Sequence, residues 1–169
     1  NTVGGQETDN CFGIVPDSES LSQMQFNCED LGTNEVTYSV MDYANNVGSA
    51  PVQITIEDNL APIAVAQNLT VELNEEGLAT IEAIDADNGS TDNCSIASRQ
   101  LSVTEFSCEN LGEQEVTLSV VDASGNESEA TFTVNVVDNV APAITEMLSA
   151  EIYLDEEGQA IFDTAPLLA

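Results

Sequence analysis

Apolar and polar residues alternate in four stretches of this chain: Leu69-Thr70-Val71-Glu72-Leu73, residues 79–84, residues 115–121 and residues 130–137. A period of two, enriched in β-branched residues, predicts half-buried strands, because successive strand side chains face opposite sides. Asn74-Glu75-Glu76-Gly77, Asp87-Asn88-Gly89-Ser90 and Ser124-Gly125-Asn126 read as the turns between strands. No window carries a helical stripe. Short strands with frequent turns in a unit of about 80 residues predict an all-β fold of tandem immunoglobulin-like antiparallel β-sandwiches. The chain has no Trp, so the buried Trp of antibody domains is missing and the likeness is one of architecture.

The pattern also repeats. Phe26-Asn27-Cys28-Glu29-Asp30-Leu31-Gly32 returns 80 residues later as Phe106-Ser107-Cys108-Glu109-Asn110-Leu111-Gly112, and Asp58-Asn59-Leu60-Ala61-Pro62 returns as Asp138-Asn139-Val140-Ala141-Pro142. Thr8-Asp9-Asn10-Cys11 returns as Thr91-Asp92-Asn93-Cys94. A fixed period of this size predicts stacked units. The phase places a partial repeat at residues 1–58, lacking its first strands, a complete repeat at 59–138, and the first strands of a third at 139–169. Partial units leave open sheet edges. Two completions are open: a longer chain, or strands from residues 143–169 of one copy donated to residues 1–57 of the next, as in strand-exchange fibres.

Charge narrows the function. The chain has 31 acidic residues, one basic residue (Arg99) and no His, a formal net charge of −30. Nucleic acid and anionic membranes are poor partners for such a surface. No apolar span of about 20 residues predicts direct membrane insertion. Hydrophobic content of 42% is that of a folded chain, not of an acidic tail. Two carboxylates about 5 Å apart repel by roughly 3 kcal/mol at an effective dielectric near 20. One Arg cannot neutralise clusters such as Asp85, Asp87 and Asp92, whereas divalent cations can.

In an immunoglobulin-like sandwich the loop at residues 85–93, the hairpin loop at residues 122–126 and the incoming linker at residues 58–62 meet at one pole. That predicts a calcium site built from Asp58, Asn59, Asp85, Asp87, Asp92, Asp122 and Asn126, since Ca²⁺ takes 6–8 oxygen ligands in irregular geometry. Mg²⁺ demands a stricter octahedron. Partial sites are expected at Asp9, Asn10, Asp42 and Asn46, and at Asp138 and Asn139. Thr2 and Gly4 stand where the complete copy has Asp85 and Asp87, so the first of these should be weaker. The competing reading is that Asp, Asn and Gly in these loops only form turns.

Four Cys fall two per repeat, which predicts disulfides within each repeat, Cys11 with Cys28 and Cys94 with Cys108. Without His or a Cys-x-x-Cys spacing, zinc is not expected. Disulfides imply an extracytoplasmic location, and the alternative is buried reduced thiols.

The run Asp122-x-x-Gly125-Asn126, the strand ending Val137-Asp138-Asn139-Val140-Ala141-Pro142, and Leu111-Gly112 with residues 116–120 resemble hyalin-repeat (HYR) modules. Gly89-Ser90-Thr91-Asp92-Asn93-Cys94 and Cys108 are similar to HYR-like repeats of giant Bacteroidetes cell-surface adhesins. The resemblance implies an extracellular module of adhesive surface proteins, some used in gliding motility. The linkers also resemble those of cadherins, where calcium stiffens the joint.

No His excludes His-based triads, and 5% aromatics offer few sugar platforms for a paired-carboxylate glycosidase. The chain is therefore expected to be non-enzymatic. The expected role is a structural or adhesive segment of a cell-surface array or filament, partnered by neighbouring repeats or further copies. The alternatives are a strand-exchange protomer and a glycan-binding accessory module of a surface enzyme.

Overall fold

In the computed structural model, which describes residues 7–11, 13–143, 151 and 153–160, the alternating stretches form paired strands. The first copy of the repeat contributes β1 (Ser20–Leu21), β2 (Gly32–Met41) and β3 (Val47–Ile56), an antiparallel sheet in that order. The second contributes β4 (Leu69–Glu72), β5 (Leu78–Thr80), a one-turn helix α1 (Ala83–Ala86), β6 (Ile96–Leu101), β7 (Glu105–Ser107), β8 (Gly112–Asp122) and β9 (Glu127–Val137). Its larger sheet has the order β4-β9-β8-β6, and β5 pairs with β7 in a smaller one.

Alternation decides which side chains meet. Val116, Leu118 and Val120 of β8 and Phe132, Val134 and Val136 of β9 all turn to one face and are buried. Phe106 of the smaller sheet, Leu73 and Ile81 join the same cluster, so the two sheets close over one core. The fold is an all-β sandwich.

Four local expectations are corrected. β4 runs parallel to β9, with Leu69 beside Val134, so the sandwich is not wholly antiparallel. Strands distant in sequence escape the hairpin constraint that forces antiparallel pairing. The strand expected through Ile84 stops early, because the Glu82 N–H is captured by the Asp85 carboxylate at 3.0 Å and the chain coils to bury Ala86. β6 and β7 were not anticipated: β6 is an edge strand whose register shifts between Ile96 and Ser98, which erases its alternation. The fourth concerns the cysteines.

Cys28 pairs with Cys94, across the two copies, with Cα atoms 5.4 Å apart and 66 residues between them in sequence. Cys11 and Cys108 carry free, exposed thiols, so neither expected intra-repeat pair forms. The reason is position. Cys94 lies beside Glu57 and Asp58 of the incoming linker, whereas Cys108 lies beside Asp138 and residues 140–143 of the outgoing one. The two cysteines of one copy thus sit at opposite poles.

The copies also differ in burial. Val36, 2% exposed, is the one buried residue among the described residues of the first copy. Tyr38 and Val40 occupy the places of Leu118 and Val120 but stay half-buried. Deleting the same two methyls should therefore have unequal effects. Val120→Ala should cost about 2 kcal/mol of stability and Val40→Ala less than half of that, read from the midpoints of urea unfolding.

Candidate metal centre

The alternation of β8 runs past Val120 to Asp122, so the last core-facing position of the strand holds a carboxylate, 2% exposed. The hairpin turn satisfies it locally. Its Oδ1 accepts N–H bonds from Ser124 at 2.9 Å and Asn126 at 2.8 Å, and its Oδ2 accepts the Asn126 amide at 2.7 Å. The same Asn126 amide donates to the Asp58 carbonyl at 3.0 Å, which draws the linker onto the hairpin. Asp58 Oδ1 accepts the Leu60 N–H at 3.1 Å and the Asn93 amide at 3.3 Å. Asp92 Oδ2 accepts the Cys94 N–H at 2.8 Å, folding the third loop inward.

Asp58, Asp92 and Asp122 are thereby brought together, each offering one carboxylate oxygen within 4.8 Å of the other two. Asp58 Oδ2 and Asp92 Oδ1 are buried and have no hydrogen-bond partner. A buried carboxylate oxygen with no donor is unfavourable unless a cation compensates it. An all-oxygen donor set on loops fits a hard cation, Ca²⁺ better than Mg²⁺. Burial pushes the Asp122 carboxyl up, but the Asn126 side chain and the N–H groups of Asn126, Ser124 and Gly125 outweigh it and hold it below the usual carboxylate range.

Two expected ligands are diverted. The Asp85 carboxylate caps α1 through the Glu82 N–H and lies outside the cluster. Asp87, with a side chain 7% exposed, pairs with Arg99 at 2.9 Å and accepts the Ser90 N–H at 2.9 Å. The single basic residue of the chain is spent there. Asn126 serves as a bridging donor, and Asn59 lines a shallow hollow with Asp58 and Ser124 beside the centre. Asn93 was missed as a contributor, although it stands in the recurring Thr-Asp-Asn-Cys sequence.

The partial sites repeat this local geometry. Asp42 accepts N–H bonds from Ala44 and Asn46, each at 2.8 Å, and the Asn46 amide at 2.7 Å, as Asp122 does in its own turn. Asp9 accepts the Cys11 N–H at 2.8 Å and lines the same hollow as Asp42. Asp138 accepts the Val140 N–H at 2.9 Å, as Asp58 does that of Leu60, and the Asn139 amide donates to Glu72 at 3.0 Å. Thr2 and Gly4 lie outside the described residues, as do residues 144–150, 152 and 161–169 of the expected third repeat.

No family model matches the chain. It is similar to an uncharacterized 81.3 kDa protein of Acholeplasma phage L2, 31% identical over 77% of this chain and 18% of the phage protein. It is 28% identical to hyalin of Lytechinus variegatus, over 79% of this chain and 27% of hyalin, and to hyalin of Strongylocentrotus purpuratus, over 81% and 12%. The similarity to hyalin is distant, and the chain spans about a quarter or less of each of these relatives. Among solved structures, mouse clustered protocadherin PcdhgC3 aligns over 65% of this chain and 45% of its own at 14% identity, with a TM-score of 0.36. Human mucin-like protocadherin aligns over 74% and 80%, also at 14% identity and a TM-score of 0.36. Among the described residues, no helix is long and apolar enough to cross a membrane.

The Asp87 carboxyl is pushed up by burial but held below its usual value by the Ser90 bonds and by Arg99. A depressed folded value means that its stabilisation is full above the unfolded pKa near 4 and is lost as pH falls through the folded value. Arg99→Met should lower stability by about 1–3 kcal/mol at neutral pH. It should also flatten the acid limb of a melting temperature–pH profile, because the Asp87 stabilisation lost on acidification is already reduced.

Proposed function

We propose that this chain is a segment of an extracellular, hyalin-like tandem array whose inter-repeat joints bind calcium, and that its role is mechanical: projecting or linking adhesive surfaces. The observation that carries the reading is the meeting of Asp58 from the linker, Asp92 from a loop and Asp122 from a hairpin, with two buried oxygens left unpartnered. A cation held there ties the linker to the sandwich and suppresses bending at the joint. The recurrence of Asp138 and Asn139 one period later supports a second joint of the same kind. The disulfide supports an oxidising, extracytoplasmic setting. Distant similarity to hyalin is compatible with this placement.

The reading is non-enzymatic. Its partners are neighbouring repeats or further copies of the chain, in a stalk or filament of the kind used for attachment and surface gliding. Completion by strands of another copy is the second reading. It is favoured by the half-buried Tyr38 and Val40, whose counterparts in the second copy are covered.

The test is thermal unfolding in EDTA and across a calcium titration, with bound metal counted by calorimetry. At a hundredfold excess over Kd, one site adds about 2.7 kcal/mol. That corresponds to a rise of roughly 5 °C or more for a domain of this size. Asp58→Asn and Asp92→Asn should abolish the rise while leaving the metal-free melt almost unchanged. A melt insensitive to calcium, with no ion bound, overturns the proposal.

A further inference from the structure

The two free cysteines are placed as copies of the two that pair. Cys28 opens a one-turn 3₁₀ helix, Cys28–Asp30, closed by a reciprocal box between Asn27 and Asp30. Cys108 opens Cys108–Asn110, closed by the same box between Ser107 and Asn110. The backbone before each is nearly superimposable, φ −136° and ψ −172° at Asn27 against −134° and −178° at Ser107. The partner side is duplicated as well. Cys94 donates its N–H to Asp92 at 2.8 Å, and Cys11 donates its N–H to Asp9 at 2.8 Å.

Surroundings agree with the backbone. Cys28 shares a hollow with Ile56, Glu57 and Asp58, where the chain leaves the first copy, and Cys94 of the next copy fills it. Cys108 shares a hollow with Asp138, Val140 and Pro142, where the chain leaves the second copy, and its thiol is exposed. The thiol lies 3.8 Å from the Gly77 carbonyl, and a Cβ on Gly77 would approach it to 2.7 Å. A glycine there leaves room for the Cys108 side chain.

Resting on the tandem-array reading, we propose that Cys108 and Cys11 are halves of further inter-repeat disulfides. Cys108 pairs with a cysteine of the Thr-Asp-Asn-Cys type in a following repeat, and Cys11 with one of the Cys28 type in a preceding repeat. Each bond forms by exchange with an oxidised thiol–disulfide carrier or a small-molecule disulfide. The two thiols lose two protons and two electrons, and one carrier disulfide is reduced to two thiols. The result is a ladder in which no repeat is cross-linked internally and every repeat is cross-linked to both neighbours.

Such a ladder changes how the array bears load. Tension enters a repeat at its Cys94-type residue and leaves at its Cys108-type residue, 14 positions later in a period of 80. The remaining residues are enclosed by the cross-links and shielded. A repeat that unfolds under force then lengthens by about 50 Å, against about 280 Å once the disulfides are reduced.

The deciding experiment is non-reducing peptide mapping of the native protein, with thiols alkylated at harvest. Intact mass is measured before and after reduction. The expected result is Cys28 linked to Cys94, with Cys108 and Cys11 in cystines to peptides of the opposite type. A mass unchanged by reduction, apart from the protons gained, assigns the partner to the same polypeptide. A mass that drops assigns it to a second copy. Cys11 linked to Cys28, Cys94 linked to Cys108, or alkylated Cys11 and Cys108 in a chain holding further repeats overturns the ladder. A reduced mass with no room for further repeats, with Cys11 and Cys108 alkylated, overturns both the ladder and the array reading.

Discussion

A carboxylate at the core-facing end of a strand is the constraint around which this molecule is arranged. The alternation that buries Val116, Leu118 and Val120 also turns Asp122 inward. A charge there is tolerable only if donors surround it. The tight turn that follows supplies them through Ser124 and Asn126, and Asn126 has one more bond to give. That bond goes to the Asp58 carbonyl, so satisfying one buried charge also fixes the linker from the preceding copy.

At the joint the cystine and the carboxylate cluster share one loop. The turn that presents Asp92 to the carboxylate cluster is closed by the Cys94 N–H, so the same few residues aim the cystine toward Cys28. Closing a segment of this length removes about 4 kcal/mol of chain entropy from the unfolded state, in the simple loop model. The cystine limits separation of the two copies, while a cation among Asp58, Asp92 and Asp122 would limit their bending. Neither needs a large apolar interface. A chain of net charge −30 with a half-covered sheet in its first copy could not easily provide one.

Arg99 shows how narrowly that charge is managed. The one basic side chain neutralises Asp87 inside the second copy and leaves the joint carboxylates without a protein counter-charge. Arg99 is held on β6 by Asp87, which is not a member of the cluster.

Much of this was legible in the residues themselves. Period-two alternation in residues 115–121 and 130–137 identified the central hairpin, because burial on one face leaves no other spacing. The clustering of acidic loops identified the pole where Asp58, Asp92 and Asp122 meet. Which carboxylates remain at that pole was settled only in three dimensions. Asp85 and Asp87 have the same side chain as their neighbours, but one reaches a helix N-terminus and the other reaches Arg99. The cysteine pairing was likewise beyond sequence. Cys94 and Cys108 are 14 residues apart in the chain, yet the strands between them carry the two thiols to opposite poles of the sandwich. A one-dimensional repeat determines that each unit has two cysteines. Only the tertiary path, which brings the end of the first copy to the beginning of the second, decides that Cys28 joins Cys94.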